Sequence, residues 1–65
     1  MSNVGINIRK YREIKNLTIE ELALKIRVGT KTLESYENKE KIPNLQTILK
    51  ISTALDVPVS ELLDE

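Results

Sequence analysis

The stretch TKTLESYEN, residues 30–38, sets Thr30, Lys31, Glu34 and Ser35 at spacings that bring them together on one side of a helix. That row holds two hydroxyls, an ammonium and a carboxylate, donors and acceptors suited to reading the polar edges of another molecule. Bond-breaking chemistry has far less to work with. The chain has no histidine and no cysteine, so the commonest neutral-pH acid or base, the commonest metal ligand and the thiolate are all missing. No inward-facing carboxylate cluster is evident either. The expectation is a binding protein and not an enzyme, with no metal, no cofactor and no small-molecule ligand.

The row must be held by the elements around it, and these read as helices throughout, because apolar residues recur at a period near 3.6 and turn signals fall between them. Val4, Ile8, Tyr11 and Ile14 predict one face of a first helix from about 4 to 15. Thr18 and Glu21 form a capping box that opens a second, whose apolar stripe is Leu22, Ala23 and Ile26. After the RVG break, Leu33 and Tyr36 mark a third helix over 30–38, closed before Pro43. Asn44 starts a fourth, with Leu45, Ile48, Ile51 and Leu55 as its stripe; Asp56 and Pro58 end it. Pro58 suits the first turn of a short fifth helix carrying Val59, Leu62 and Leu63. Five short helices joined by tight turns predict an all-α fold, a compact globule of crossed helices.

At 65 residues this reads as one domain spanning 1–65, and a domain this small buries only about 60% of its unfolded surface. The first ten residues contain no apolar run long enough for a signal peptide, and nothing approaches the roughly 20 apolar residues of a membrane span. A cytoplasmic protein without membrane contact is expected. Its formal net charge is zero, but the charges are unevenly placed. Arg9, Lys10, Arg12 and Lys15 face only Glu13 among residues 1–17, whereas Asp56, Glu61, Asp64 and Glu65 face only Lys50 from residue 44 onward. A neutral average can hide a positive face, and only the face matters to a polyanion.

In a helix-turn-helix, two helices crossing at about 90 to 120° need a small residue where they touch and an exposed polar row on the second. Ala23 supplies the small contact; Leu22, Ile26, Val28 and Leu33 supply the apolar positions; Thr30, Lys31, Glu34 and Ser35 supply the row. With IRKYR before it, LTIEELALKI and TLESYEN within it, and Pro43 and LQTILKISTALDVPVSELL after it, the chain resembles the lambdoid repressor and Cro-like helix-turn-helix family over about residues 5–63.

That resemblance implies a five-helix repressor-like DNA-binding domain whose third helix enters the major groove of double-stranded DNA. Thr30, Lys31 and Ser35 fall where the family contacts bases, and Lys31 can bond guanine O6 and N7. Glu34 lies in the same row, where it either accepts from a cytosine amino group or pairs along its helix with Lys31 or Asn38; the second reading is preferred. Thr30 can equally serve as a helix cap. Thr18 and Asn38 fall where the family contacts phosphate, and Lys39 and Lys41 in the following loop are placed to join them. Arg12 and Glu37 match a structural ion pair.

The chain departs from the family pattern at Ile19, where Gln is usual, at Arg27 and Lys39, where Gly is usual, at Gly29, where Ser or Thr is usual, and at Ser52, where Ala is usual. With Arg27 in place of that Gly, either Arg27 sits in a left-handed conformation or the joint differs from the family's. Val57, Val59, Leu62 and Leu63 exceed what a short terminal helix needs to dock, which predicts an exposed patch for homodimerisation. The function expected is a sequence-specific transcriptional regulator of repressor type, dimeric on a two-fold-symmetric operator. The rival is a protein-interaction module that has lost tight DNA binding and holds a toxin or another regulator.

Overall fold

The computed structural model describes residues 3–64. The expected helices are all present: α1 spans Val4–Ile14, α2 Ile19–Ile26, α3 Thr30–Glu37, α4 Leu45–Leu55 and α5 Val59–Leu63. Three boundaries move by a residue. Helix α1 ends at Ile14, with Lys15 as its cap. Asn38 caps α3 from outside instead of ending it, and Pro58, with extended backbone, precedes α5 as its N-cap instead of lying in its first turn.

The local chemistry explains the starts. Thr18 Oγ1 accepts from the Glu21 N–H at 3.0 Å while Glu21 Oε1 accepts from the Thr18 N–H at 2.8 Å, so the capping box closes in both directions. Asn44 Oδ1 accepts from the Thr47 N–H at 2.9 Å and caps α4 without a reciprocal partner.

The helix ends follow one pattern. Asn16, Arg27, Lys39 and Asp56, which follow α1 to α4, all have positive φ, between 57 and 66°. At each, the left-handed residue and the one after it donate back into the last turn: Arg27 N–H to Leu24 and Val28 N–H to Ala23, for example, or Asp56 N–H to Thr53 and Val57 N–H to Ser52. This is the Schellman closure, which usually recruits glycine. Neither glycine of this chain occupies such a position. The residue after the left-handed one is Leu17, Val28 or Val57 at three of the four ends, and each packs against the core.

That core is built from Val4 and Ile8 of α1, Leu22, Ala23 and Ile26 of α2, Leu33 of α3, Ile48, Ile51 and Leu55 of α4 and Leu62 of α5. Two expected core residues are outside it. Ile14 is 59% exposed, because the chain reverses at Asn16 and brings Leu17 to the core in its place. Leu45, at the first position of α4, is also solvent-facing. Helix α1 packs on α3, α4 and α5, and α2 packs on α3 and α4. Gly5 makes the first of these contacts possible: it is buried against the backbone carbonyl of Tyr36, where a Cβ has no room. Helix α3 is thus backed by two helices and open on its far side.

Candidate nucleic-acid interface

The joint between α2 and α3 is three residues long. Arg27, at φ 60° and ψ 43°, takes the left-handed conformation and stays exposed. Gly29 is the N-cap of α3 and offers it no side-chain acceptor. Thr30 is therefore the first helical residue, and the capping role considered for it belongs to the backbone position before it.

Along α3 the side chains divide sharply. Lys31 and Glu34 are exposed, Asn38 continues the same face one turn on, and Thr30 is half-buried beside them. Ser35 is buried, contrary to its expected place in the exposed row. Its hydroxyl donates to the Thr32 carbonyl at 2.6 Å, and the loop after α3 folds back so that the N–H groups of Glu40 and Lys41 donate to the Ser35 carbonyl at 2.8 and 3.2 Å. The readable row is Lys31, Glu34 and Asn38, with Thr30 at its edge.

The preferred pairing of Glu34 with Lys31 or Asn38 does not form. Among the described residues the ion pairs are Arg9 with Glu13 and Arg12 with Glu37, and Asn38 meets Glu34 only through its N–H on the Glu34 carbonyl, at 2.8 Å. The Glu34 carboxylate and the Lys31 ammonium both point out unengaged.

Around this row, Thr18 is exposed at the start of α2; its oxygen accepts a capping bond, which leaves the hydroxyl proton to be donated outward. Ile19 packs against the core, so the position where relatives usually carry Gln is used here for burial. Lys39 and Lys41 are exposed, and with Val4, Gly5, Tyr36, Ile42 and Pro43 they line a hollow of about 110 Å³ at the C-terminal end of α3. Asn38, Lys39 and Lys41 therefore cluster at one end of the row and Arg27 stands at the other.

The pair expected between α1 and α3 is formed by two parallel bonds. Arg12 Nε reaches Glu37 Oε2 at 2.8 Å and Nη2 reaches Oε1 at 3.1 Å, while Nη1 donates to the Leu17 carbonyl at 2.8 Å. Both side chains are nearly buried, and the hydrogen bond to Glu37 raises the Arg12 pKa above the ordinary guanidinium value against the opposing effect of burial. Three donors of a planar fork are used to fix α3 on α1. Arg12 positions the row and does not belong to it.

The C-terminal apolar set is smaller on the surface than expected. Leu62 is fully buried and is a core residue, because α5 lies on α1, where Asn7 Nδ2 donates to the Leu62 and Asp64 carbonyls at 2.9 and 2.7 Å. Tyr11 Oη adds a bond to Glu61 at 3.2 Å. Val57 and Val59 are half-buried against the core and Leu63 remains exposed. Ile6, beside Asn7 on α1, is exposed as well; its place in the first helix gave no sequence signal for this.

A short helix lying on a capped partner helix across a three-residue joint, locked from behind and presenting an unpaired polar row, defines a helix-turn-helix domain. The particular family follows from comparison with known proteins: a model of the helix-turn-helix family matches residues 8–62, and the chain belongs to that family, the lambdoid repressor and Cro-like type.

Among its relatives is the HTH-type transcriptional regulator SinR of Bacillus subtilis (strain 168), 41% identical over 63 residues that make up 95% of this chain and 57% of SinR. The cryptic phage CTXphi transcriptional repressor RstR of Vibrio cholerae is 36% identical over 58 residues, 89% of this chain and 52% of RstR. The chain thus spans a little over half the length of these curated relatives. The crystal structure of SinR in complex with DNA superposes with a TM-score of 0.88 at 39% identity, covering 94% of this chain and 98% of that one. The restriction-modification controller protein C.AhdI of Aeromonas hydrophila gives 0.88 at 31% identity, covering 94% and 92%.

Among the described residues no helix is long and apolar enough to cross a membrane.

Proposed function

We propose that this chain is a sequence-specific DNA-binding transcriptional regulator of repressor type, cytoplasmic and working as a homodimer on a two-fold-symmetric operator. The observation that carries this is the exposed, unpaired row of Lys31, Glu34 and Asn38 on a helix whose other faces are buried. Unpaired, Lys31 and Glu34 offer an ammonium to guanine O6 and N7 and a carboxylate to the cytosine amino group. The DNA complex of SinR supports the reading, since this chain matches nearly all of the SinR chain in that structure.

Affinity comes from the surroundings. Thr18, Lys39 and Lys41 bracket the row and, with Asn38 at its end, take phosphates on either side of the groove, fixing register, while Lys31 and Glu34 supply sequence. Repression then needs only occupancy of a promoter. Leu63, with the exposed edges of Val57 and Val59 and with Ile6, offers an apolar patch through which two copies meet, and a two-fold dimer sets half-sites about one DNA turn apart.

Fluorescence anisotropy on a duplex carrying the preferred site tests the reading. Lys31→Glu is expected to weaken binding at least a hundredfold, because it removes a base contact and adds a repelled charge, while its far-ultraviolet circular dichroism stays native. Equal affinity of the variant and the parent chain would overturn it.

A further inference from the structure

On another part of the surface, α2 and α4 leave an open groove of about 520 Å³ lined by Lys25, Leu49, Lys50, Thr53 and Ala54. Both charged residues in it are cations, and among the described residues neither enters an ion pair. Leu49 is 47% exposed, and Leu45, one turn earlier on α4, is 64% exposed. The apolar stripe that α4 turns inward is Ile48, Ile51 and Leu55, so these two leucines do nothing for the core. Leu24, beside Lys25 on α2, is 80% exposed. Within the groove Leu49 and Ala54 supply apolar surface and Lys25 and Lys50 supply charge of one sign.

Helix α4 packs on α1, α2 and α5, and the groove includes no residue of α3 or of the joint before it. A floor of Leu49 and Ala54 is poor ground for a phosphate backbone. It suits a helix laid with its apolar face down. We propose that this groove docks an acidic amphipathic helix of a partner protein, with its apolar anchors on Leu49, Leu45 and Ala54 and its carboxylates on Lys25 and Lys50.

Charge complementarity sets the class of occupant. A second copy fits less well: the acidic end of this chain is α5, five residues long and about 7.5 Å at 1.5 Å per residue, too short to cover the groove, and Glu61 already holds Tyr11. The contact leaves α3 uncovered, so a partner held there can be carried to DNA by the bound regulator.

The test is an amide NMR titration of the chain with a synthetic helical peptide of about 16 residues, roughly four turns, bearing leucines at i and i+4 flanked by glutamates. A version with lysine at every glutamate is the control. Saturable shifts at residues 24–25 and 45–54, weakened at least tenfold by combining Lys25→Glu with Lys50→Glu and weakened again by added salt, are the expected result. No saturable shift, or equal shifts with the basic peptide, would overturn the proposal. So would concentration-dependent shifts of these amides without peptide, which assign the groove to a second copy, or the same shifts on adding duplex DNA, which assign it to the nucleic-acid surface. None of these readouts depends on the role given to Lys31.

Discussion

Lys31, Glu34 and Ser35 look alike in the sequence and behave differently in the structure. Lys31→Ala is expected to cost about 1–3 kcal/mol of specific binding, the worth of a good base contact. Glu34→Ala should relax the preference at one base position and strengthen binding to unmatched duplexes, since a negative charge leaves the groove. Ser35→Ala should leave DNA affinity within about twofold, because its hydroxyl is bound to the Thr32 carbonyl and Ala conserves the buried volume; anisotropy on one duplex compares all three. The spacing that places Ser35 in the row is legible. The loop that covers it is not, because its N–H groups reach the Ser35 carbonyl from five and six residues on.

Tyr11 makes a pH prediction at the same scale. Desolvation first, then its bond to Glu61 and the charges of Glu61 and Asp64, raise its pKa above the ordinary 10.0. A group that titrates higher in the folded state contributes stability that is intact below pH 10.0 and is lost as pH rises through the raised value. Thermal melts at increasing alkaline pH should show the parent chain losing stability more steeply than Tyr11→Phe over that interval.

At the scale of elements, every helix was legible from its stripe and turn signals, and the Thr18 and Glu21 box was read down to its bonds. The helix ends were harder. Glycine usually marks a left-handed end, but here Asn16, Arg27, Lys39 and Asp56 fill those positions. Asn and Asp tolerate that conformation, whereas for Arg and Lys it costs about 1–2 kcal/mol, only partly offset by the backbone freedom a glycine would have to lose. Arg27→Gly and Lys39→Gly should each stabilise the fold by up to about 1 kcal/mol, raising Tm by several degrees in a domain of this size. Gly5 has the opposite role, a close approach that no local pattern reveals, since its neighbour Tyr36 lies two helices away. Gly5→Ala pushes a Cβ into backbone and should destabilise by about 2 kcal/mol or more. Calorimetry on the three variants checks both signs.

Over the whole molecule, the uneven charge reading holds only in part. Arg9 is paired with Glu13, Lys10 lies 5.1 Å from the centre of the Tyr11 ring, and Arg12 is nearly buried, so the basic start of the chain is largely occupied with itself. Lys31, Lys39, Lys41 and Arg27 carry the field at α3. Few phosphates are neutralised by so small a set, and the logarithm of affinity should fall shallowly with the logarithm of salt, with a slope near −3 to −4 per protomer. The neutral total was visible in the sequence; which cations were free was not, because pairing depends on how α1 and α3 cross.

The central claim is that α3 reads DNA sequence, and the most direct measurement is repeated selection from a random duplex pool at low salt, with sequencing of the retained molecules and Lys31→Glu in parallel. A two-fold-symmetric motif with half-sites about one turn apart, recovered by the parent chain and lost by the variant, is the predicted result. A pool that stays unenriched, or that yields the same motif with both proteins, would contradict it.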